Sequence, residues 1–387
     1  MSRLTRRQFL KVSSAVAGVA LAGAACGPQP APTPLSGAQA AAIPPTVAPT
    51  ATPSPLPPTP APTITSSPLP PTPVPSSTPA APAVISGQRP EIIKFYPDGP
   101  SRVVQTHHAG VWKDQQLASD ALRRLVDTSI TKLTGVSDAA QAWASLFSPK
   151  EKIALKVNAF RNSIIWTHPA LVKAVTDSLQ DAGIPAEQLI IFDYSTDELK
   201  TAGYAVNPGE AGVRCYGTDS KYTASGKAGY AQVELSNVLL ECDALINLPV
   251  LKTHMIAGIT FALKNHYGSV SNPESLHSPV GPAMAALNAL APIKDKTRLI
   301  IGDALEACLN YGYGWPYWKA DWTGDSILMS FDPVAMDTIA LQLLTQLKKD
   351  NTGSMLGMAT PCLKSGAEAG LGTNDPAQID MVEETIT

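Results

Sequence analysis

From Pro28 to Gln88 the chain has no charged side chain and no aromatic, and residues 1–88 contain no acid. A segment so poor in groups to bury cannot offset the entropy of folding. It is rich only in proline, with 20 of the 36 lying between Pro28 and Pro82, in repeats such as Pro-Thr-Pro and Pro-Leu-Pro-Pro-Thr-Pro. As polyproline II, at about 3.1 Å per residue, it would reach on the order of 190 Å as a disordered, semi-rigid Pro/Thr-rich stalk. A basic excess is missing as well. Residues 89–387 hold 25 basic and 32 acidic side chains, a net of −7, which argues against nucleic acid as a partner. Further absences narrow the chemistry. No apolar run approaches the ~20 residues of a membrane span. There is no His-Glu-x-x-His, Cys-x-x-Cys or calcium-loop spacing, no glycine-rich dinucleotide or phosphate loop, and no Gly-x-Ser-x-Gly. Metal and cofactor are therefore left unassigned, and a serine hydrolase is disfavoured.

What stands at the start is an address. Thr5-Arg6-Arg7-Gln8-Phe9-Leu10-Lys11, followed by the weakly apolar run Val12 to Ala25, resembles a twin-arginine export signal. The resemblance implies folding before export and the twin-arginine machinery as a partner. Ala22-Gly23-Ala24-Ala25-Cys26-Gly27 is similar to a lipoprotein cleavage box, with Cys26 the lipidated residue. Gly23 stands where that pattern favours Leu, so cleavage without lipidation is the alternative. Residues 1–26 thus read as signal, 27–88 as linker and 89–387 as the folded domain. The expected location is the outer face of a membrane in the cell envelope, reached through a lipid anchor.

In the folded part, apolar runs at 153–157, 189–192, 213–216, 244–248, 298–301 and 327–329 suit strands buried on both faces. A first strand is expected at 101–107, and helices at 117–133, 139–146, 169–182 and 333–348. The last begins with Asp332 as N-cap and Pro333 at N1. Alternating strand and helix predict an α/β fold, a mainly parallel, doubly wound sheet with flanking helices, whose ligands sit beyond the C-terminal strand ends.

Polar residues stand at those ends: Lys156 and Asn158, Asp193 and Ser195, Asn247, Lys252 and His254, Asp303, then Ser330 and Asp332. A parallel sheet would gather them on one edge. Lys156-Val-Asn158, Thr167-His168-Pro169, Asp193-Tyr-Ser195, Asn247-Leu-Pro-Val-Leu-Lys252-Thr-His254, Lys264-Asn265-His266-Tyr-Gly268 and Asp332-Pro-Val-Ala-Met-Asp337 follow in this order. Together they resemble the domain of unknown function 362 family, across about residues 100–380. The exported branch of that family likewise joins a twin-arginine signal to such a domain. Some members carry a ferredoxin-like segment that this chain lacks. The resemblance implies a fold and a candidate site, with no settled reaction. A similarity to nickel-dependent lactate racemases carries no motif across.

Lys156, Lys252 and Lys264 in a net acidic domain point to an anionic ligand, with Asn158, Asn247 and Asn265 to orient it. His254, His168 and Lys252 are the catalytic candidates. Lys156, Asn158, Asp193, Asn247, Lys264, Asn265 and Asp303 are the ligand-binding ones. His168 is equally suited to capping a helix, Lys264 alone to an ordinary surface position, and Asp332 to an N-cap. Cys215, Cys242, Cys308 and Cys362 either pair as disulfides or remain buried thiols. The aromatic stretch Tyr311 to Trp322 is either a platform over the site or loop packing. Two functions follow: an enzyme performing racemase- or oxidoreductase-like acid/base chemistry on a small anionic organic molecule, or a tethered protein that binds such a ligand or cofactor for a membrane partner.

Overall fold

The computed structural model describes residues 99–312, 316–348 and 353–387, all within one compact unit, Ala81–Thr387. The export signal, Cys26 and the proline-rich linker lie outside the described residues, as do Tyr313 and Trp315.

The chain enters through β1 (Ser101–His108) and a small hairpin, β2 (Trp112–Lys113) and β3 (Gln116–Leu117). Helix α1 (Ser119–Thr134) stops where Gly135 takes φ 75° and donates its amide to the Thr131 carbonyl, the left-handed ending that glycine allows. Helix α2 (Ala139–Leu146) starts at Asp138, whose carboxylate accepts the Gln141 N–H. Strand and helix then alternate through β4 (Ile153–Lys156), α3 (Pro169–Asp181), β5 (Leu189–Phe192), α4 (Thr196–Thr201) and β6 (Arg214–Cys215). A hairpin, β7 (Tyr222–Ala228) and β8 (Ala231–Ser236), precedes α5 (Asn237–Glu241), β9 (Ala244–Asn247), β10 (Val250–His254) and β11 (Gly258–Thr260). Two 3₁₀ turns, Lys264–Ser269 and Pro273–Leu276, lead to α6 (Val280–Asn288), α7 (Ala291–Lys294), the long β12 (Thr297–Cys308) and β13 (Trp322–Ser330). The remainder is α8 (Pro333–Leu347), α9 (Gly353–Gly357), α10 (Ala359–Glu368) and β14 (Ile379–Ile386).

The main sheet runs β14-β1-β13-β12-β9-β4-β5-β6. Pairs β12–β9, β9–β4, β4–β5, β5–β6 and β1–β14 are parallel, giving the mainly parallel α/β sheet expected. Side chains alternate between two cores, as strand geometry requires. Ile153, Leu155, Leu189 and Ile191 face α1, α2 and α3 on one side, while Ala154, Ile190 and Phe192 join the core packed by α5, α6 and α10 on the other. The boundaries expected from sequence recur closely for β1, β4, β5, β9, α1, α2, α3 and α8.

Two departures matter for the site. Strand β13 is antiparallel to both neighbours, with Ile300 opposite Ser330, because the aromatic connection returns directly where parallel neighbours require a crossover. Ser330 and Asp332 therefore leave at the opposite edge from Lys156 and Asn247. In addition, β12 continues through Asp303 to Cys308, so Asp303 lies inside a strand and not after one. Its far half pairs with β10, Val250 opposite Asp303, whereas its near half pairs with β9. The Leu248-Pro249 step thus shifts the chain from one half of β12 to the next, carrying Lys252 and His254 past the end of the parallel sheet.

Candidate active site

Lys156 ends β4 with its whole side chain buried, and Asp193 follows β5. Lys156 Nζ lies 2.6 Å from Asp193 Oδ1 and donates to the Val157 carbonyl at 2.6 Å. The carboxylate also accepts the N–H groups of Ala159 and Tyr194. Both charges are satisfied within the protein. Gly268 covers them so closely that a Cβ there would collide with Asp193 Oδ1 and Lys156 Nζ. The pair is a foundation for the site and has little capacity left for a ligand.

Above it, three amides form a chain of fixed polarity. Asn247 Nδ2 donates to the Ala262 carbonyl, and Asn265 Nδ2 to the Lys156 carbonyl and to Asn247 Oδ1. The carbonyl acceptors at both places decide which way these amides face. Asn265 Oδ1 must then accept from Asn158 Nδ2, at 3.1 Å, leaving Asn158 Oδ1 to accept from Lys252 Nζ at 2.6 Å. The asparagines are thus engaged with one another, and their joint effect is to place Lys252. That lysine also donates toward the Ile165 carbonyl at 3.4 Å and lies 5.4 Å over the Trp318 ring. Burial drives its pKa down to about 7, because an ammonium loses its hydration there and the Asp193 carboxylate that would favour it is already paired with Lys156.

Lys264 lies in the first 3₁₀ turn and is buried, not at the surface as its residue type alone suggests. Its Nζ is 3.3 Å from His277 Nε2 and 3.8 Å over the Tyr267 ring. Burial lowers it too to about 7. His254, on β10, accepts the Ile256 and Ala257 N–H groups at Nδ1, so the neutral ring carries its proton on Nε2. Burial, then the charges of Lys264, His277 and Lys252, hold its pKa well below the ordinary 6.5. The ring stacks between His277 and Trp318, at 5.8 and 5.6 Å. Glu274 Oε2 is 3.3 Å from His277 Nδ1 but not aligned for a hydrogen bond. The contact is weak, and burial followed by Lys264 lowers the His277 pKa.

These groups line one cavity of about 640 Å³. Lys156, Asn158, Asp193, Lys252, His254, Lys264 and Asn265 all reach it, as do Glu198, His277 and an aromatic wall that includes Tyr311, Tyr317 and Trp318. The structure therefore assembles residues from five separate stretches of chain. Glu198 was hidden in what reads as a helix start, Ser195-Thr-Asp-Glu198. Ser195 does accept the Glu198 N–H, at 3.2 Å. The Glu198 carboxylate, however, turns away to accept the Arg161 N–H through Oε1 and leaves Oε2 buried without a partner. Burial and then the Asp193 charge raise its pKa. His277 lies in a Pro/Ser-rich stretch with no periodic signal, and only the fold brings it to His254.

His168 and Asp303 are placed elsewhere, outside the cavity lining. His168 Nδ1 is 2.8 Å from Asp303 Oδ2, and Nε2 is 3.3 Å from Glu306 Oε2. Burial alone would lower its pKa, but the Asp303 charge and its hydrogen bond, then Glu306, outweigh that and raise it to about 10. His168 precedes α3 without a side-chain cap bond. It is an imidazolium clamping the start of α3 to β12. Asn247 supports the amide chain from behind. Asp332 is the N-cap of α8, accepting the Val334 and Ala335 N–H groups. Cys215, Cys242, Cys308 and Cys362 are free and buried. Among the described residues no His, Cys, Asp and Glu cluster is arranged to hold a metal ion, and no helix is long and apolar enough to cross a membrane.

The family model described as Domain of unknown function (DUF362) matches residues 153–342, a span that contains every residue lining the cavity. No curated protein matches the sequence. Among solved structures, the chain is similar to the lactate racemase apoprotein from Thermoanaerobacterium thermosaccharolyticum, at 12% identity and a TM-score of 0.31, over 54% of this chain and 51% of that one. It is also similar to a structural-genomics protein from Thermotoga maritima, at 12% identity and a TM-score of 0.35, over 65% and 59%. The chain spans between half and three fifths of those structures, and likeness at this level carries no argument about chemistry.

Proposed function

We propose, taking the span matched by the DUF362 family model as the working part of the chain, that the cavity binds a small organic anion and moves a proton on it. One observation carries this reading. Lys252 and Lys264 open onto the same cavity, both buried and both lowered to about 7, and among the described residues neither has a carboxylate in ion-pair contact. A buried ammonium without a counter-charge is costly. A carboxylate bound against Lys264 would offset that cost there and leave Lys252 able to give up its proton.

The geometry divides the labour. As a neutral amine, Lys252 has two N–H bonds, directed at Asn158 Oδ1 and the Ile165 carbonyl, and its lone pair is left for the substrate. It is the base, poised where general bases work best. His254 is already protonated on the ring nitrogen that its backbone contacts leave free, and it resists a second proton. It therefore acts as a neutral hydrogen-bond donor, stabilising with the Lys264 ammonium the negative charge left behind when a proton departs. Glu198, with its raised pKa and partnerless oxygen, is the second group able to hold and return a proton. Abstraction of the proton from a carbon beside a carboxylate, and its return to the opposite face, serves racemisation.

The test is deuterium incorporation from D₂O into a panel of 2-hydroxycarboxylates, followed by NMR with the full-length protein. Exchange at the carbon beside the carboxylate is expected, falling at least about a hundredfold in Lys252→Met. Binding without exchange across the panel would favour the non-catalytic, ligand-presenting reading. The work is further proposed to take place at the outer face of a cell-envelope membrane, through the export signal and Cys26.

A further inference from the structure

Resting on the anion reading, the cavity has a second character. Its cationic end is formed by Lys252 and Lys264, and one wall is apolar, Phe160, Met255, Tyr311, Tyr317 and Trp318, beside polar lining that includes Arg161, Asn162, Asn272 and Glu274. The aromatics are ordered. Tyr311 and Tyr317 lie parallel, 2° apart with centroids at 5.8 Å, and Trp318 stands edge-on to both at 5.0 and 6.1 Å. Trp318 donates its Nε1–H to the Thr253 carbonyl at 2.7 Å, so its polar atom is engaged by the wall. Phe160 stands edge-on to Trp318 at 5.8 Å yet remains 38% exposed, and Met255 is 45% exposed. They are two of the few large apolar side chains the fold leaves open, and both line this cavity. About 640 Å³ holds on the order of twenty waters. An acid of two or three carbons would fill little of it and leave the aromatic wall wet.

We infer that the site takes an anion with an aromatic or comparably flat apolar body, its carboxylate against Lys264 at the cationic end and its body against Trp318, Phe160 and Met255. Aromatic and thioether surfaces give such a body directional contact, and the cationic end fixes its orientation.

Calorimetric titration of the full-length protein near pH 7 with acetate, benzoate, 2-naphthoate and the neutral 2-naphthamide tests this. Affinity is expected to rise at least about tenfold from acetate to benzoate and again to 2-naphthoate, with 2-naphthamide at least about tenfold weaker than 2-naphthoate. Phe160→Ala and Met255→Ala, at exposed positions that leave folding intact, should each weaken 2-naphthoate about three- to tenfold and leave acetate within about twofold. Equal affinity for acetate and 2-naphthoate would overturn the aromatic inference while leaving anion binding intact. Equal affinity for 2-naphthamide and 2-naphthoate would overturn the anion reading on which it rests, and no binding by any of the four would overturn both.

Discussion

Lys252 and Lys264 share one physical situation, and its pH signature follows from the direction of their shifts. Each is lowered from 10.5 to about 7, so between those values the folded protein holds fewer protons than the unfolded chain. Their effect is to make the ligand-free protein more stable as pH rises from about 7 toward 10.5. A bound anion reverses the preference at Lys264 by favouring its ammonium, while Lys252 remains the neutral base. Binding near pH 7 should therefore take up protons, and affinity should fall as pH rises above it. Titrations in buffers of different ionisation enthalpy measure that uptake, and its absence would mean that the anion does not meet Lys264. His168 acts in the opposite sense. Raised from 6.5 to about 10, it contributes stability that is complete below about 6.5 and lost as pH rises through about 10. His168→Gln leaves Asp303 buried without its cation and should cost about 3 kcal/mol, read as a lower thermal midpoint near pH 7. Lys252→Met with Lys264→Met should remove the rising contribution and expose the falling one.

At the level of elements, the site depends on how closely one 3₁₀ turn approaches two strand ends. Asp337, inside α8, accepts the Ala262 and Leu263 N–H groups and so holds the segment that delivers Lys264 and Asn265. Burial raises its pKa to about 7 even against those two amide donors. The same turn brings Gly268 onto the Lys156–Asp193 pair, where no side chain fits. Gly268→Ala should force the turn outward, lowering stability by about 1–3 kcal/mol and weakening 2-naphthoate binding together with it. Denaturant unfolding and the same calorimetry check both effects. Loss of stability with unchanged affinity would show that the turn does not position the ligand groups.

For the whole molecule, we propose a folded unit held at a membrane surface by a long, uncharged Pro/Thr-rich segment. Arg6→Lys combined with Arg7→Lys should stop export, and Cys26→Ala should release mature protein from membranes into the soluble fraction. Cell fractionation reads both results. Export of the double variant by the same route, or retention of the Cys26 variant on membranes, would count against the address and the anchor respectively.

The sequence by itself determined the alternation of strand and helix, since fully buried strands must be continuous apolar runs and helix starts and stops are marked by Asp138, Pro169, Pro333 and Gly135. It also marked most of the polar groups at the sheet edge, because charged or amide residues directly after such runs have few structural reasons to be there. It did not reveal the hairpin of β7 and β8, whose first strand is Thr-, Ser- and Gly-containing and mostly exposed and whose second turns only Val233 and Leu235 into the core, or β14, which reads as a charged tail. Only the tertiary structure decided what each polar residue does. It turned β13 around and removed Ser330 and Asp332 from the site. It assigned His168 to a carboxylate clamp and Lys156 to Asp193, and left Lys252 and Lys264 without an ion-paired carboxylate among the described residues. A lysine's residue type is local, whereas its counter-charge, its loss of water and its partners come from segments up to about a hundred residues away, such as Asn158 for Lys252. Those surroundings set its pKa and therefore its role.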